Sequence, residues 1–269
     1  DYAGGGRGLI VNLPGYPVFQ RTVLQLTGID LDCYKGTQME RRLQTIMRRA
    51  GVSDLAAYAR LLQTTPARVK EFQDFLTINV SEWLRNPEKF EELKQVILPE
   101  LLKKNPILRI WSAGCSNGAE PYSVAMLLDE LDPNGRHQIW ATDLDAEILK
   151  VARAGVYQEK DIKNVSAERR AKYFTQAGDG FAVIERLKAR VRFEQHNLLS
   201  DPFPRDLDLI LCRNVVIYFT EEAKDELYRK FHAALKPGGI LFVGGTESLL
   251  KARDLGYASA SPFFYRAEK

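Results

Sequence analysis

One loop in the sequence carries residues that could do chemistry in two different ways. Residues 111–123 read WSAGCSNGAEPYS. Within them, Gly114 to Gly118 has the spacing G-x-S-x-G, which places a serine nucleophile in a sharp turn between a strand and a helix. The same stretch is also typical of a glycine-bearing loop that lets a nucleoside cofactor approach the backbone. Other parts of the sequence distinguish between a catalytic serine at this loop and a loop that binds a cofactor.

A serine hydrolase requires partners for Ser116 that this sequence does not offer. The nucleophile needs a histidine in a late loop and an oxyanion loop that follows an earlier strand. Of the three histidines only His196 stands at a predicted strand end, and the chain before Ser116 has helical spacing without strand-like alternation. We therefore expect Ser116 to cap the following helix and His196 to be structural.

Polar residues follow each predicted strand of the second half. Glu120 comes after the first strand, Asp143 after the second, Asn197 after the third, and Arg213 and Asn214 after the fourth. Ligands of doubly wound sheets bind beyond the carboxyl ends of the strands, where Asp143 could accept hydrogen bonds from both hydroxyls of a ribose. A carboxylate at Glu120 would repel phosphate and attract an amine. Together these residues favour a nucleoside with a cationic amino-acid tail, namely S-adenosylmethionine.

The elements that must position these residues change in character along the chain. The first part has apolar residues at helical spacing, as in Leu43, Ile46, Met47 and Ala50. Later, strands alternate with helices, which predicts an α/β domain with a mostly parallel, doubly wound sheet. We predict a disordered tail over 1–13, an all-α N-terminal domain over 14–86, a linker helix over 87–106, and the α/β domain over 107–269 with a small antiparallel β insert at about 173–193.

Composition narrows the class of protein further. The chain has 269 residues and a formal net charge of +3. This small charge argues against nucleic acid as the main partner. We expect no membrane insertion, because long apolar runs are missing, and no signal peptide. Three widely spaced cysteines at Cys33, Cys115 and Cys212 have neither a disulfide framework nor metal-ligand spacing. The sequence therefore predicts a reduced cytoplasmic protein without a metal site.

The motifs taken together resemble the CheR family of chemotaxis receptor methyltransferases, from about residue 18 to 266. The family usually reads S-T-G-E-E-P where this chain reads SNGAEP, and the second acidic residue, Glu120, is retained. The matching segments are TINVSEWLR (77–85), WSAGCSNGAEPYS (111–123), ATDLDAEIL (141–149), ARAGVY (152–157), HNLL (196–199), CRNVVIYF (212–219) and LKPGGILFVGGTE (235–247).

The resemblance implies a helical domain followed by a Rossmann-like methyltransferase domain with a small β-subdomain. It also implies methyl transfer from S-adenosylmethionine to glutamate side chains of membrane chemoreceptors, in the cytoplasm and at receptor arrays. Tyr218 would lie beside the methyl group, and Arg85 would hold a carboxylate of the cofactor or the substrate. The cofactor contacts implied by the motifs are Asn79, Ser81, Arg85, Glu120, Asp143, Asn197, Leu198, Arg213 and Asn214.

A basic helix could meet the cytoplasmic helices of a receptor. Arg41 and Arg48 are seven residues apart, as are Arg42 and Arg49, so each pair shares a helix face. Such a ridge could steer an acidic receptor helix. We expect a monomer. The alternatives are a cofactor-binding adaptor without catalysis in a signalling complex, and a methyltransferase of another substrate class.

Overall fold

The computed structural model describes residues 11–76 and 81–269. The chain divides into two compact units. The first comprises residues 1–78, 199–201 and 216–228, and the second comprises residues 79–198, 202–215 and 229–269. Each unit has its own internal packing, and the two are described in turn.

The first unit is helical where it is described. Its core contains Phe19, Tyr58 and Phe72, whose ring centroids lie 5.4–6.3 Å apart. The predicted apolar stripe is buried at Leu43, Ile46 and Met47, which lie in the helix Gly36–Ala50. The helices are α1 (Tyr16–Thr27), α2 (Gly36–Ala50), α3 (Leu55–Thr64) and α4 (Pro66–Leu76), and the N-terminal part of α11 (Glu221–Ala234) also falls in this unit.

The second unit is built on a seven-stranded sheet in the order β6-β2-β1-β7-β8-β10-β9. Its pairs from β6 through β8 are parallel, while β10 runs antiparallel to both β8 and β9. Every residue of the central strand β7 is buried, as expected for a strand covered on both faces. The strands of this sheet are β1 (Arg109–Ala113), β2 (Gln138–Asp143), β6 (Val191–Gln195), β7 (Leu207–Cys212), β8 (Leu235–Val243), β9 (Tyr257–Ser261) and β10 (Phe264–Ala267).

A second, three-stranded antiparallel sheet has the order β3-β5-β4. Its strands are β3 (Val156–Tyr157), β4 (Phe174–Ala177) and β5 (Gly180–Val183). Its bounds differ from the stretch 173–193 expected for the insert. Residues 156–157 join it from a distance along the chain, whereas 191–195 belong to the edge of the main sheet.

Helices of the second unit surround these sheets. They are α5 (Pro87–Glu92), α6 (Leu98–Lys104), α7 (Ala119–Leu131), α8 (Ala146–Ala154), α9 (Ala167–Tyr173), α10 (Glu185–Lys188) and the C-terminal part of α11. A π-helical stretch, Leu93–Ile97, joins α5 to α6, and Pro99 lies in the first turn of α6. Proline is tolerated in the first turn of a helix, where its missing N–H removes no intrahelical hydrogen bond.

Trp83 anchors the segment before α5 in the second unit. Its side chain is fully buried. The ring stacks on Tyr122 at 6.0 Å and meets Tyr157 and Phe174 edge-on at 5.4 and 4.7 Å. The backbone N–H of Trp83 donates to the carbonyl of Asp161 at 2.9 Å. The residues next to Trp83 are thereby held against α7.

In residues 11–76 and 81–269, no helix is long and apolar enough to cross a membrane.

Candidate functional site

The loop between β1 and α7 can be built only with glycine at its first position. Gly114 has φ of +78°, in the left-handed region that glycine tolerates. A Cβ at Gly114 would lie 2.4 Å from Cγ2 of Val215. The N–H groups of Gly114 and Cys115 both donate to the carbonyl of Thr142 at 2.8 Å. The loop is therefore fixed to the carboxyl end of β2.

Ser116 does not cap α7, so this prediction was wrong. The residue at the cap position is Gly118, and Oδ1 of Asn117 accepts from the N–H of Ala119 at 3.1 Å. Ser116 has φ of +48°, and its N–H donates to Oδ2 of Asp143 at 2.8 Å. Its backbone thus ties the loop to the next strand, which is a role for a binding loop.

His196 packs as a structural residue. It is buried, and its ring meets Trp111 at 5.4 Å, Trp140 at 5.3 Å and Phe203 at 5.8 Å. Its Nε2 lies 3.3 Å from the carbonyl oxygen of Pro202. His196 is the histidine that a serine hydrolase would have needed for catalysis, and these contacts show that it packs among aromatic rings instead.

Asp143 presents a buried carboxylate at the end of β2. Its Oδ1 accepts from the N–H of Asp145 at 3.0 Å, and its Oδ2 accepts from Ser116. Burial raises the pKa of Asp143, and the backbone hydrogen bonds oppose this effect. Each carboxylate oxygen has two acceptor lone pairs. The carboxylate is therefore held in one orientation and keeps capacity for ribose hydroxyls.

Glu120 and Arg213 form a second charged group at the same edge of the sheet. Glu120 lies in the first turn of α7, and its Oε1 accepts from the hydroxyl of Ser112 at 2.8 Å. Its Oε2 lies 3.7 Å from Nη1 of Arg213. Burial raises the pKa of Glu120, while Arg213 opposes that rise. Burial lowers the pKa of Arg213, and Glu120 opposes that fall. Each charge thus favours the ionised form of the other.

Arg213 also holds the segment that precedes α5. Its Nη2 donates to the carbonyl of Arg85 at 2.9 Å and to Oδ1 of Asn86 at 2.7 Å. Its guanidinium lies over Phe242 and Phe90, 4.5 and 5.1 Å from the ring centroids. Asn86 stands just before α5 and is of a type that often caps helices, but it has φ of +63° and no capping hydrogen bond. Its side chain instead accepts from a cation at the end of β7.

The first motif block lies partly outside the described residues, and Asn79 is among the residues left out. Arg85 is half-buried and stands between two residues in the left-handed region, Leu84 with φ of +50° and Asn86. The carbonyl of Ser81 accepts from Nδ2 of Asn117 at 3.5 Å, which is a long contact. Ser81 and Arg85 therefore belong to the same unit as the loop at Gly114.

The remaining predicted contacts follow β6 and β7. Asn197 and Leu198 come after β6, with Leu198 buried and Asn197 half-buried. Asn214 has φ of +61°, and its N–H donates to Oε2 of Glu247 at 2.5 Å. Glu247 is buried and was missed by the sequence analysis. The signal that identified Asp143, a carboxylate beyond a strand end, was also present in the motif after β8.

Tyr218 and Arg42 come together in the first unit. Tyr218 lies on a 3₁₀ turn, Val216–Tyr218, and its carbonyl accepts from the N–H of Lys35 at 2.9 Å. The Arg42 guanidinium lies 5.8 Å from the centroid of the Tyr218 ring. Burial lowers the pKa of Arg42, and the Tyr218 and Tyr34 hydroxyls oppose this.

The four arginines of α2 divide into two pairs. Arg42 donates to the carbonyl of Phe75 and lies over its ring at 4.9 Å, and Arg49 lies over the same ring at 5.5 Å. Arg41, Arg48 and Arg49 are exposed, and Arg42 is half-buried. The guanidinium groups of Arg42 and Arg49 thus contact α4, and Arg41 and Arg48 do not share that contact with Phe75.

The residues at the carboxyl edge of the main sheet fit S-adenosylmethionine. Asp143 and Glu120 supply acceptors for ribose hydroxyls and for an ammonium group, and Glu120 disfavours phosphate in the first turn of α7. The Nε of Arg213 is buried and has no hydrogen-bond partner among the described residues. Over 11–76 and 81–269, no group of three or more His, Cys, Asp or Glu side chains could hold a metal ion.

A separate cleft, of about 870 Å³, lies at the other ends of the strands. It is lined by Arg109, Gln138 and Val191, the first residues of β1, β2 and β6. Ligands of doubly wound sheets bind at the carboxyl ends instead. The edge that carries Asp143 and Glu120 is the carboxyl one.

Comparison with known proteins identifies the domains of this chain. The family model described as the all-alpha domain of CheR methyltransferase matches residues 15–77, and that of the SAM binding domain matches residues 79–263. A chemotaxis protein methyltransferase of Listeria monocytogenes is 39% identical over 93% of this chain and 96% of its own length. Chemotaxis protein methyltransferase 1 of Pseudomonas aeruginosa is 38% identical over 87% of this chain and 90% of its own length.

Solved structures resemble this chain more distantly than these relatives do. The SAM-bound amino pentose methyltransferase CalS10 of Micromonospora echinaspora is 14% identical and covers 57% of this chain and 50% of its own, with a TM-score of 0.35. The two family models, by contrast, match residues in both units. The chain belongs to the CheR family of methyltransferases, with S-adenosylmethionine as its methyl donor.

Proposed function

We propose that the protein transfers a methyl group from S-adenosylmethionine to glutamate side chains of membrane chemoreceptors, giving glutamate methyl esters and S-adenosylhomocysteine. The observation that carries this proposal is the match of both CheR domains together with the names of the relatives, which are chemotaxis protein methyltransferases. On this proposal the enzyme acts as a cytoplasmic monomer that reaches its substrate at receptor arrays.

The cofactor is proposed to lie across the carboxyl ends of β1, β2 and β7. Asp143 would accept from the ribose hydroxyls, because its carboxylate is fixed by two backbone N–H groups. Glu120 would face the ammonium group of the cofactor. The other proposed contacts are Asn79, Ser81, Arg85, Asn197, Leu198, Arg213 and Asn214.

The reaction requires little covalent work from the protein. The bound cofactor supplies a methyl group already activated by its sulfonium. A glutamate acceptor has a reference pKa of about 4.3 and is ionised at neutral pH, so no general base is needed. The carboxylate oxygen forms a bond to the methyl carbon as the carbon–sulfur bond breaks, and both charges disappear. The protein then contributes by positioning the groups and excluding water.

We propose that Tyr218 orients the acceptor through its hydroxyl and that Arg85 holds a carboxylate of the cofactor or the acceptor. Tyr218→Phe keeps the ring that contacts Arg42 and removes only the hydroxyl. Loss of one hydrogen bond to a charged group should lower kcat roughly tenfold. The cofactor Kd should stay unchanged, since the ring remains. A variant with full kcat would remove Tyr218 from the mechanism.

Arg41 and Arg48 are proposed to meet the acidic receptor helix, because both are exposed and, unlike Arg42 and Arg49, neither lies over the ring of Phe75. Arg42 and Arg49 would support that surface from Phe75. The double variant Arg41→Ala, Arg48→Ala should raise the receptor KM and leave the cofactor Kd unchanged. Arg60→Ala is the matched control, since Arg60 is an exposed arginine on another helix of the same unit. An equal rise in KM with the control would contradict the proposal.

A further inference from the structure

Glu247 is a buried carboxylate that joins two loops beyond the carboxyl ends of β7 and β8. Its side chain is 5% exposed. Its Oε2 accepts from the N–H of Gly244 at 2.9 Å and from the N–H of Asn214 at 2.5 Å. The N–H of Glu247 in turn donates to the carbonyl of Gly244 at 3.0 Å. The carboxylate therefore closes a turn after β8 and links it to the residue after Arg213.

Gly244 leaves the space that this carboxylate occupies. A Cβ at Gly244 would lie 2.4 Å from Oε2 of Glu247, 3.0 Å from the backbone N of Asn214 and 3.1 Å from Nδ2 of Asn214. Unlike Gly114, Gly244 does not have φ in the left-handed region. Alanine at this position would therefore press on the Glu247 carboxylate and on Asn214, without straining the backbone of residue 244 itself.

Asn214 needs such a contact because its backbone is in the left-handed region, with φ of +61°. That conformation is unfavourable for residues with a Cβ, although asparagine tolerates it better than most. A charge-assisted hydrogen bond to its N–H offsets the cost and fixes where its side chain leaves the chain. The same contact acts next to Arg213, which pairs with Glu120.

We propose that Glu247 is a positioning residue of the cofactor site: it fixes the backbone of Asn214 and so orients the Asn214 side chain toward S-adenosylmethionine. This inference rests on the proposed role of Asn214 as a cofactor contact. Glu247 itself need not touch the cofactor, and its effect on binding passes through Asn214.

The experiment measures the Kd for S-adenosylmethionine by calorimetry, with the unfolding temperature of each variant. Glu247→Ala should weaken cofactor binding roughly 10- to 100-fold, the range for hydrogen bonds to a charged group. Glu247→Gln keeps an oxygen that accepts both N–H groups and should recover most of the affinity. Gly244→Ala should also weaken binding with the glutamate still present, since its Cβ would displace Oε2 of Glu247 and press on Nδ2 of Asn214. Gly245→Ala is the neighbouring control, because its Cβ would meet the ring of Phe263 at 3.0 Å instead.

A double-mutant cycle separates positioning from a general structural role. If Glu247 acts through Asn214, Glu247→Ala should have little further effect on Kd in an Asn214→Ala background. Additive losses in the two backgrounds would overturn the inference. The inference would also be overturned if Glu247→Ala, Glu247→Gln and Gly245→Ala all lost cofactor affinity to the same extent and all lowered the unfolding temperature to the same extent. If Asn214→Ala alone leaves Kd unchanged, the proposed role of Asn214 fails and the inference fails with it, whereas methyl transfer by the wild type tests the reaction independently.

Discussion

Replacing Gly114 with alanine tests whether the loop after β1 is held by a steric limit at this position. Two terms can be taken from the structure. The left-handed φ of +78° costs about 1–2 kcal/mol for a residue with a Cβ. The contact of 2.4 Å between that Cβ and Val215 adds about 1–3 kcal/mol of overpacking. We expect Gly114→Ala to lower the free energy of unfolding by roughly 2–5 kcal/mol in total.

Gly178→Ala is the control for the backbone term alone. Gly178 has φ of +57°, and no atom lies within 4 Å of a Cβ built there. Its substitution should cost only the conformational part, about 1–2 kcal/mol or less. Urea unfolding of both variants gives the two free energies, and cofactor titration shows whether the loop still binds.

A second variant isolates the contact itself. Val215→Ala removes the two γ carbons that the new Cβ would meet. The double variant Gly114→Ala, Val215→Ala should therefore be more stable than the sum of the single effects predicts, with a coupling of about 0.5–3 kcal/mol. Equal destabilisation at Gly114 and Gly178, or strict additivity with Val215→Ala, would refute the steric explanation of the loop.

Further predictions concern charge, ribose recognition and packing. Burial raises the pKa of Glu120 in the free protein, and a bound cation favours its ionised form. Cofactor affinity should therefore fall as the pH drops through that raised pKa. Cofactor titrations of Glu120→Gln should lack this pH dependence. Asp143→Asn should raise the cofactor Kd roughly tenfold or more, since it removes a charged acceptor, and calorimetry would show no change if Asp143 has no such role. Trp83→Ala should cost about 3–5 kcal/mol of unfolding free energy, because the ring is fully buried; a loss below 1 kcal/mol in urea unfolding would contradict its role as an anchor.

The alternation of strands and helices predicted the main sheet and the edge at which polar residues gather. Asp143 and Glu120 were found because the carboxyl ends of parallel strands meet at one edge of the sheet. The pairing of β3 with β5 could not be predicted in the same way, since residues 156–157 form too short a strand to show alternation and pair with 181–182, far along the chain. Long-range pairing of this kind is decided by packing rather than by local pattern.

Local capping was less predictable than the fold. Ser116 and Asn86 are common cap residues, and each stands just before a helix. Both have positive φ in the structure, because the backbone must turn to bring Ser116 to Asp143 and Asn86 to Arg213. These tertiary hydrogen bonds replace the local ones. Glu247 was overlooked for a related reason, since an acidic residue after two glycines usually belongs to an exposed loop.

The measurement that tests the central claim most directly is methyl transfer to a chemoreceptor cytoplasmic fragment from S-adenosylmethionine labelled in the methyl group, followed by mild alkali. The account predicts label on the receptor that alkali releases as methanol, as a carboxyl methyl ester requires. Label that resists alkali, or cofactor binding without transfer to the receptor, would contradict the proposed glutamate reaction.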